Sequence, residues 1–169
     1  MRPAHIERPT FIIDQNVGKL AKLMRLLGFD SFFFTGENDS QMVNLALFEK
    51  RIILTRDTHI LERRLVTKKR VRAILIKTDK PELQITQVVQ ELGLQNQLLP
   101  FTLCLECNRP LRPIAKDLIS ARVPPYVFQT QNEFVECPGC LRVFWKGTHW
   151  NAMLQRLNKL AGNLEEEIK

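Results

Sequence analysis

The sequence predicts an α/β protein: a small parallel sheet flanked by helices, then a cysteine-bearing β module, then a C-terminal amphipathic helix. Three observations predict it. Short apolar runs alternate with segments of helical periodicity from residue 11 to residue 93, the pattern of repeated strand-helix units. All four cysteines fall in two C-x-x-C pairs separated by residues 108–136. A last segment from Thr148 places Trp150, Met153, Leu154, Leu157, Leu160, Ala161 and Leu164 on one side of a helix that packs back on the body. The expected divisions are an α/β domain over 9–96, the cysteine module over 97–147 and the helix over 148–169.

Phe11-Ile-Ile13 reads as a buried strand ending at Asp14. Val17, Leu20, Ala21, Met24 and Leu27 then recur at helical spacing, and Gly28 follows as a C′ glycine. A second strand is expected over 31–34. Asp39 and Ser40 can cap a helix whose apolar face is Met42, Val43, Leu45, Ala46 and Leu47, ending near Lys50. The third strand, 52–55, runs straight into Arg56 and Asp57. A short helix over 58–65 leads into a basic cluster, Arg63, Arg64, Lys68, Lys69, Arg70 and Arg72. The fourth strand, 73–76, ends near Asp79. Pro81 and Glu82 open a helix with Ile85, Val88, Val89 and Leu92 inward, stopped by Gly93. Residues 95–100 are a polar connection. Beyond them Pro110, Pro113, Pro124 and Pro125 exclude long helices, and short strands are expected near 132–136 and 141–145.

The formal charge of +7 and a pI near 9.5 favour a polyanionic partner such as nucleic acid. Four thiolates and one Zn²⁺ would lower the charge to about +5, which leaves the surface basic. No apolar run is long enough to span a bilayer and no secretory leader is visible, so a cytosolic protein is expected.

Cys104-Leu-Glu-Cys107 and Cys137-Pro-Gly-Cys140 have zinc spacing. Each turn brings two sulfurs to one side of a bend, and two facing turns supply four thiolates to a tetrahedral Zn²⁺. Two disulfides or an iron–sulfur centre are the alternatives. A disulfide within so short a turn would be strained, and Asn108 and Gly139 are turn-tolerant residues of the kind such knuckles use.

Asp14, Asp39, Asp57 and Asp79 each fall at a strand end or a helix start, and in a parallel α/β layout those positions converge on one rim. Converging carboxylates repel unless a divalent cation neutralises them, and Mg²⁺ or Mn²⁺ suits such oxygen ligands when substrate phosphate completes the shell. Helix capping and turn formation explain Asp39, Asp57 and Asp79 equally well. Arg25 and Arg56 lie near the acids in sequence and their guanidinium groups match phosphate. Lys68, Lys69 and Arg70 are either an RNA-binding surface or a solvated charge run. His149 could contact a phosphate or serve the first turn of the last helix; His59 is better explained as an exposed helix residue. Trp145 and Trp150 are expected to pack the cysteine module against the sheet.

The segment Asp14–Gly28, the run Ile52-Ile-Leu-Thr-Arg-Asp57, the two cysteine pairs and Phe144-Trp-Lys-Gly-Thr-His-Trp150 together resemble the Mut-seven C-terminal domain family. The resemblance extends from about Phe11 to Leu157. It implies a PIN-like nuclease domain with a zinc ribbon appended, and a metal-dependent ribonuclease whose Mg²⁺ or Mn²⁺ ligands map onto Asp14, Asp39 and Asp57, with Asp79 auxiliary. Gln15-Asn16, Lys22 and Thr148 depart from the usual pattern without removing an acid. Two functions are therefore carried forward: a ribonuclease that hydrolyses RNA phosphodiester bonds at an Asp cluster, and a non-catalytic, zinc-stabilised RNA-binding or adaptor module.

Overall fold

The computed structural model describes residues 7–148, 150–152, 154 and 155. His149, Met153 and 156–169, hence most of the expected final helix, lie outside the described residues. Strands β1 (Phe11–Ile13), β2 (Ser31–Phe33), β3 (Ile52–Thr55) and β4 (Ala73–Leu75) form one sheet in the order β2-β1-β3-β4. Every pairing is parallel, with Ile12 opposite Phe32 and Ile53, and Leu54 opposite Ile74. The central strands β1 and β3 are apolar because both of their faces are covered.

Side-chain alternation distributes the two cores. Phe11, Ile13, Leu54 and Ile74 face helices α1 (Gly18–Leu26) and α5 (Pro81–Glu91), meeting Leu20, Met24, Ile85 and Val88. Ile12 and Ile53 face α2 (Asp39–Glu49), α3 (Thr58–Glu62) and α4 (Arg64–Thr67), meeting Met42, Ala46 and Ile60. The expected 58–65 helix is broken at Arg63, whose ψ of 135° is extended; the chain then turns through a second short helix before β4. Two caps also differ from expectation. Asn38, not Asp39, caps α2 by accepting from the Ser40 amide, and Lys80, with no side-chain cap bond, precedes α5, so Asp79 caps nothing.

Gly28 ends α1 with φ +82°, and a Cβ there would stand 2.1 Å from the Leu99 carbonyl oxygen. The Leu99 amide in turn donates to Leu27, pinning the connection that leads to the cysteine module against the end of α1. Gly28→Ala should therefore destabilise by more than about 1 kcal/mol, because strain and collision add. A urea midpoint equal to wild type would contradict this account.

The second module is an antiparallel sheet, β5 (Arg112–Ile114), β6 (Phe134–Glu136) and β7 (Val143–Trp145), with a six-residue helix α6 (Pro125–Thr130) between β5 and β6. Its core is Ile119, Val123 and Phe134, closed by Trp145, whose ring lies 6.5 Å from that of Phe134. Trp145 thus packs inside the module and not against the parallel sheet, because β7 turns that face toward Phe134. Trp150 is buried edge-on against Phe101 of the connection, 4.1 Å between centroids. Among the described residues no helix is long and apolar enough to cross a membrane.

Candidate functional site

Helix α1 follows β1 over one face of the sheet, whereas α3 follows β3 over the other. The adjacent carboxyl ends of β1 and β3 are therefore a topological switch point, where a crevice opens in open parallel sheets. Asp14 leaves β1 and Asp57 follows Thr55 at the end of β3, one on each side of it.

Thr55 joins the two acids. Its side chain is fully buried, its hydroxyl donates to Asp14 Oδ2 at 2.6 Å, and its oxygen accepts from the Asp57 amide at 2.9 Å. Asn16 completes the link: its Nδ2 donates to Asp14 Oδ2 at 2.8 Å and its Oδ1 accepts from the Arg56 amide at 3.0 Å. Asp14 is thereby oriented through one oxygen. Asp57 accepts the His59 amide at 2.9 Å through Oδ1, so it does cap α3. Sequence alone assigns no role to Thr55 or Asn16, although a hydroxyl that closes an apolar strand beside a carboxylate is a signal for the first and Asn16 stands out only as a departure from the usual pattern.

The other acids stand differently. Asp39 pairs with Arg63 at 3.4 Å across the α2–α3 edge, and Asp79 is exposed beyond β4 on the same carboxyl rim. Among the described residues, only the four cysteines bring three or more His, Cys, Asp or Glu ligand atoms together. Asp14 and Asp57 each keep one carboxylate oxygen without a protein hydrogen bond among the described residues. That donor set fits Mg²⁺ or Mn²⁺, which is commonly held by one or two carboxylates with waters and phosphate oxygens filling the octahedron.

The expected cations divide sharply. Arg56 is exposed at the rim beside Asp57. Arg25, expected to meet phosphate, is instead 7% exposed: Nε donates to the Ser31 carbonyl, and Nη1 to the carbonyls of Leu105 and Glu106. Helix α1 turns it inward toward the first cysteine knuckle, where it satisfies carbonyls that would otherwise be stranded. Arg25→Leu should cost about 3 kcal/mol or more of stability by leaving those carbonyls unpaired, with RNA affinity per folded molecule unchanged. A selective loss of RNA affinity in the folded variant would restore the phosphate role. Lys68, Lys69 and Arg70 are exposed but precede β4, at the amino end of the sheet, opposite the acids. His149 lies outside the described residues.

The four cysteine sulfurs all lie within 4.8 Å of one another, with Cys104–Cys107 and Cys104–Cys140 at 3.7 Å and Cys107–Cys137 at 3.6 Å. A disulfide would require about 2.05 Å, so the disulfide alternative falls away. A ZnS₄ tetrahedron with bonds of about 2.3 Å has edges of about 3.8 Å, which this arrangement matches. Crowding pushes the Cys107 thiol up to about 12, first through hydrogen bonding to Cys140 and then through burial. Burial opposes the charge of Cys137, but the backbone amides of Cys140 and Gly139 outweigh it and hold that thiol down to about 7. One sulfur is thus poised to ionise while its neighbour resists, and four thiolates this close need a cation among them, so the cluster could hold a structural metal such as zinc.

The two knuckles have matching backbone hydrogen bonds. Cys104 and Cys137 donate their amides to Arg109 and Arg142 carbonyls, and accept from the amides of Asn108 and Leu141, which both have left-handed φ near +60°. Leu141, not Gly139, is thus the second left-handed residue; a Cβ at Gly139 would meet only the flexible end of the Arg109 side chain, at 2.8 Å, which can swing aside.

Asn108 also ties the first cysteine knuckle to the parallel sheet. Its Oδ1 accepts from the Ser31 amide of β2 at 3.0 Å and its Nδ2 donates to Asp30 at 2.7 Å. Burial opposes the charge of Asp30, but hydrogen bonds from Arg51 and Asn108 outweigh it and hold its carboxyl below the usual range.

The chain matches the profile of the Mut7-C RNAse domain over residues 9–157, which spans both modules. It belongs to the Mut7-C RNase domain family. No curated protein and no solved structure matches it significantly. Membership points to a nuclease role with RNA as substrate or partner, and it joins the parallel sheet and the four-cysteine cluster in one unit.

Proposed function

We propose that the protein is a metal-dependent ribonuclease that hydrolyses RNA phosphodiester bonds at the carboxyl rim of its parallel sheet, with zinc as a structural metal at Cys104, Cys107, Cys137 and Cys140. The observation that carries the reading is the pair Asp14 and Asp57 at the switch point, linked through Thr55 in a family described as an RNase domain. Asp14 and Asp57 would hold Mg²⁺ or Mn²⁺, with Asp39 as third ligand once Arg63 is drawn away and Asp79 auxiliary. When bound, such a cation activates water and neutralises charge developing on phosphate.

The chain's own groups prepare that step. Thr55 and Asn16 fix one oxygen of Asp14 and leave the other directed for use, at no cost of reorganisation during reaction. Arg56, whose backbone is held by Asn16, offers a guanidinium to the phosphate beside the acids. The zinc module holds the first knuckle against β2 and so stiffens the edge next to β1.

Three observations favour the non-catalytic RNA-binding module: Asp57 caps a helix, Asp39 is ion-paired, and among the described residues no three acids meet. Cleavage separates the two readings. Protein freed of loosely held divalent ions but retaining zinc should leave a labelled single-stranded RNA intact and cut it when Mn²⁺ is restored. Binding without cleavage in Mn²⁺ and Mg²⁺ would leave the binding module standing.

A further inference from the structure

The amino end of the sheet holds a feature that the acids do not use. Between α4 and β4 the chain turns through Lys68–Arg72, with Lys69 in the left-handed region at φ 56° and the turn closed by Arg70 and Val71 amides donating to the Leu65 carbonyl. The turn borders an open depression of about 340 Å³ lined by the apolar Val66, Val71 and Ala73 together with Lys69 and Arg72. That volume lies at the small end of the range for ligand pockets. Lys68, Lys69, Arg70 and Arg72 are all exposed, and among the described residues none forms an ion pair with a carboxylate.

Cations around an apolar depression match a ligand that is both polyanionic and locally apolar. Single-stranded RNA has both properties: its phosphates pair with Lys and Arg, while an unstacked base covers an aliphatic surface or lies on a guanidinium plane. Duplex RNA would present only phosphate and sugar to this depression. The strands are parallel and β3 has four residues, so at about 3.3 Å per residue the cationic end and the acidic rim are separated by at least about 13 Å.

We infer that the Lys68–Arg72 turn and the depression it borders form a second, non-catalytic site for single-stranded RNA, which holds a strand whose scissile bond lies at the opposite rim. The inference rests on RNA being the substrate. It adds that RNA long enough to wrap from one end of the sheet to the other binds through two sites at once, and that shorter RNA occupies one site at a time.

The test uses the full chain carrying Asp14→Asn, so that RNA stays intact during binding, and compares Lys69→Glu combined with Arg70→Glu against the unaltered turn. Single-stranded RNA of about 20 nucleotides should bind roughly tenfold to a hundredfold more weakly, and the log–log salt slope should shrink by at least about 1.4, for two lost phosphate contacts at about 0.7 each. RNA of about three nucleotides occupies one site at a time, so its affinity should fall by no more than about twofold to threefold. Arg72→Gln is a milder variant, expected to weaken only the longer RNA, and far-ultraviolet circular dichroism checks that each variant is folded. Unchanged affinity and slope for the longer RNA, with the cations then serving another partner, would overturn the inference. Equal losses for long and short RNA would overturn it too. Mn²⁺-dependent cleavage by protein with native Asp14 is read separately, so a nuclease without this second site and a second site without a nuclease give different results.

Discussion

Asp57→Asn should lower Mn²⁺-dependent RNA cleavage by a hundredfold or more while leaving the protein folded. The magnitude corresponds to about 3 kcal/mol of transition-state stabilisation, within the range for losing a ligand to a cation that activates water. The choice of asparagine matters because Asp57 has two jobs. Its Oδ1 caps α3 by accepting from the His59 amide, and asparagine caps about as well as aspartate, so the helix survives and only the charge is lost. Asp57→Ala removes both and should also cost about 1 kcal/mol of stability. Asp14→Asn should lose activity to a similar degree, because its Oδ2 receives hydrogen bonds from Thr55 and Asn16 that an amide can meet only with its oxygen, leaving an NH₂ where a ligand oxygen is required. Thr55→Val is the companion change: it preserves the apolar strand end, leaves both carboxylates charged, and should slow cleavage less than either acid variant by loosening Asp14. Equal rates in wild type, Asp14→Asn and Asp57→Asn would sink the metallonuclease reading.

Loss of zinc should unfold the cysteine module and weaken the parallel sheet with it. Cys137→Ser removes one of four thiolates from sulfurs spaced for a tetrahedral ion, and structural zinc commonly supplies on the order of 10 kcal/mol of binding free energy to a module this small. The module's own core is only Ile119, Val123 and Phe134 with a few half-buried neighbours, too little to fold alone. The effect should cross into the sheet through Asn108, whose side chain bridges the knuckle to Ser31 and Asp30, and through Arg25, which donates to the Leu105 and Glu106 carbonyls. Elemental analysis should find one zinc per wild-type chain. Hydrogen exchange should show lost protection at β2 in Cys137→Ser as well as in β6 and β7. Unchanged thermal stability in the variant, or less than about a third of an equivalent of zinc in protein purified without chelator, would remove the structural metal from this account.

Acid should weaken the same junction. The folded carboxyl of Asp30 lies below its unfolded value of about 3.9, so its contribution is complete above that pH and is lost as pH falls through the lower folded value.

Much of this organisation was legible in local pattern. The strands at 11–13 and 52–55 were readable as apolar runs because both faces of a parallel sheet are buried, and their ends placed Asp14 and Asp57 on one rim. Gly28 was readable as a helix stop, and the cysteine spacing pointed to a four-sulfur cluster, since each knuckle is closed by hydrogen bonds within a few residues. Caps were less legible, because Asn38 and Asp39 are both good candidates and only the backbone path selects Asn38.

The sequence by itself determined the elements of the parallel sheet and the pairing of cysteines into knuckles, which depend on neighbours a few positions apart; β5, α6 and the break at Arg63 were not legible, because three-residue strands and six-residue helices carry too little periodicity. Tertiary structure alone decided which distant groups meet. Arg25 has the chemistry of a phosphate ligand, but α1 packs so that its guanidinium meets carbonyls some 80 residues away and becomes part of the junction. Asp39 has the chemistry of a metal ligand, but the break at Arg63 brings a guanidinium to it. Lys68, Lys69 and Arg70 follow Asp57 closely in sequence, yet the crossover through α3 and α4 carries them the length of a strand to the opposite end of the sheet, because a parallel strand must begin where its neighbour begins.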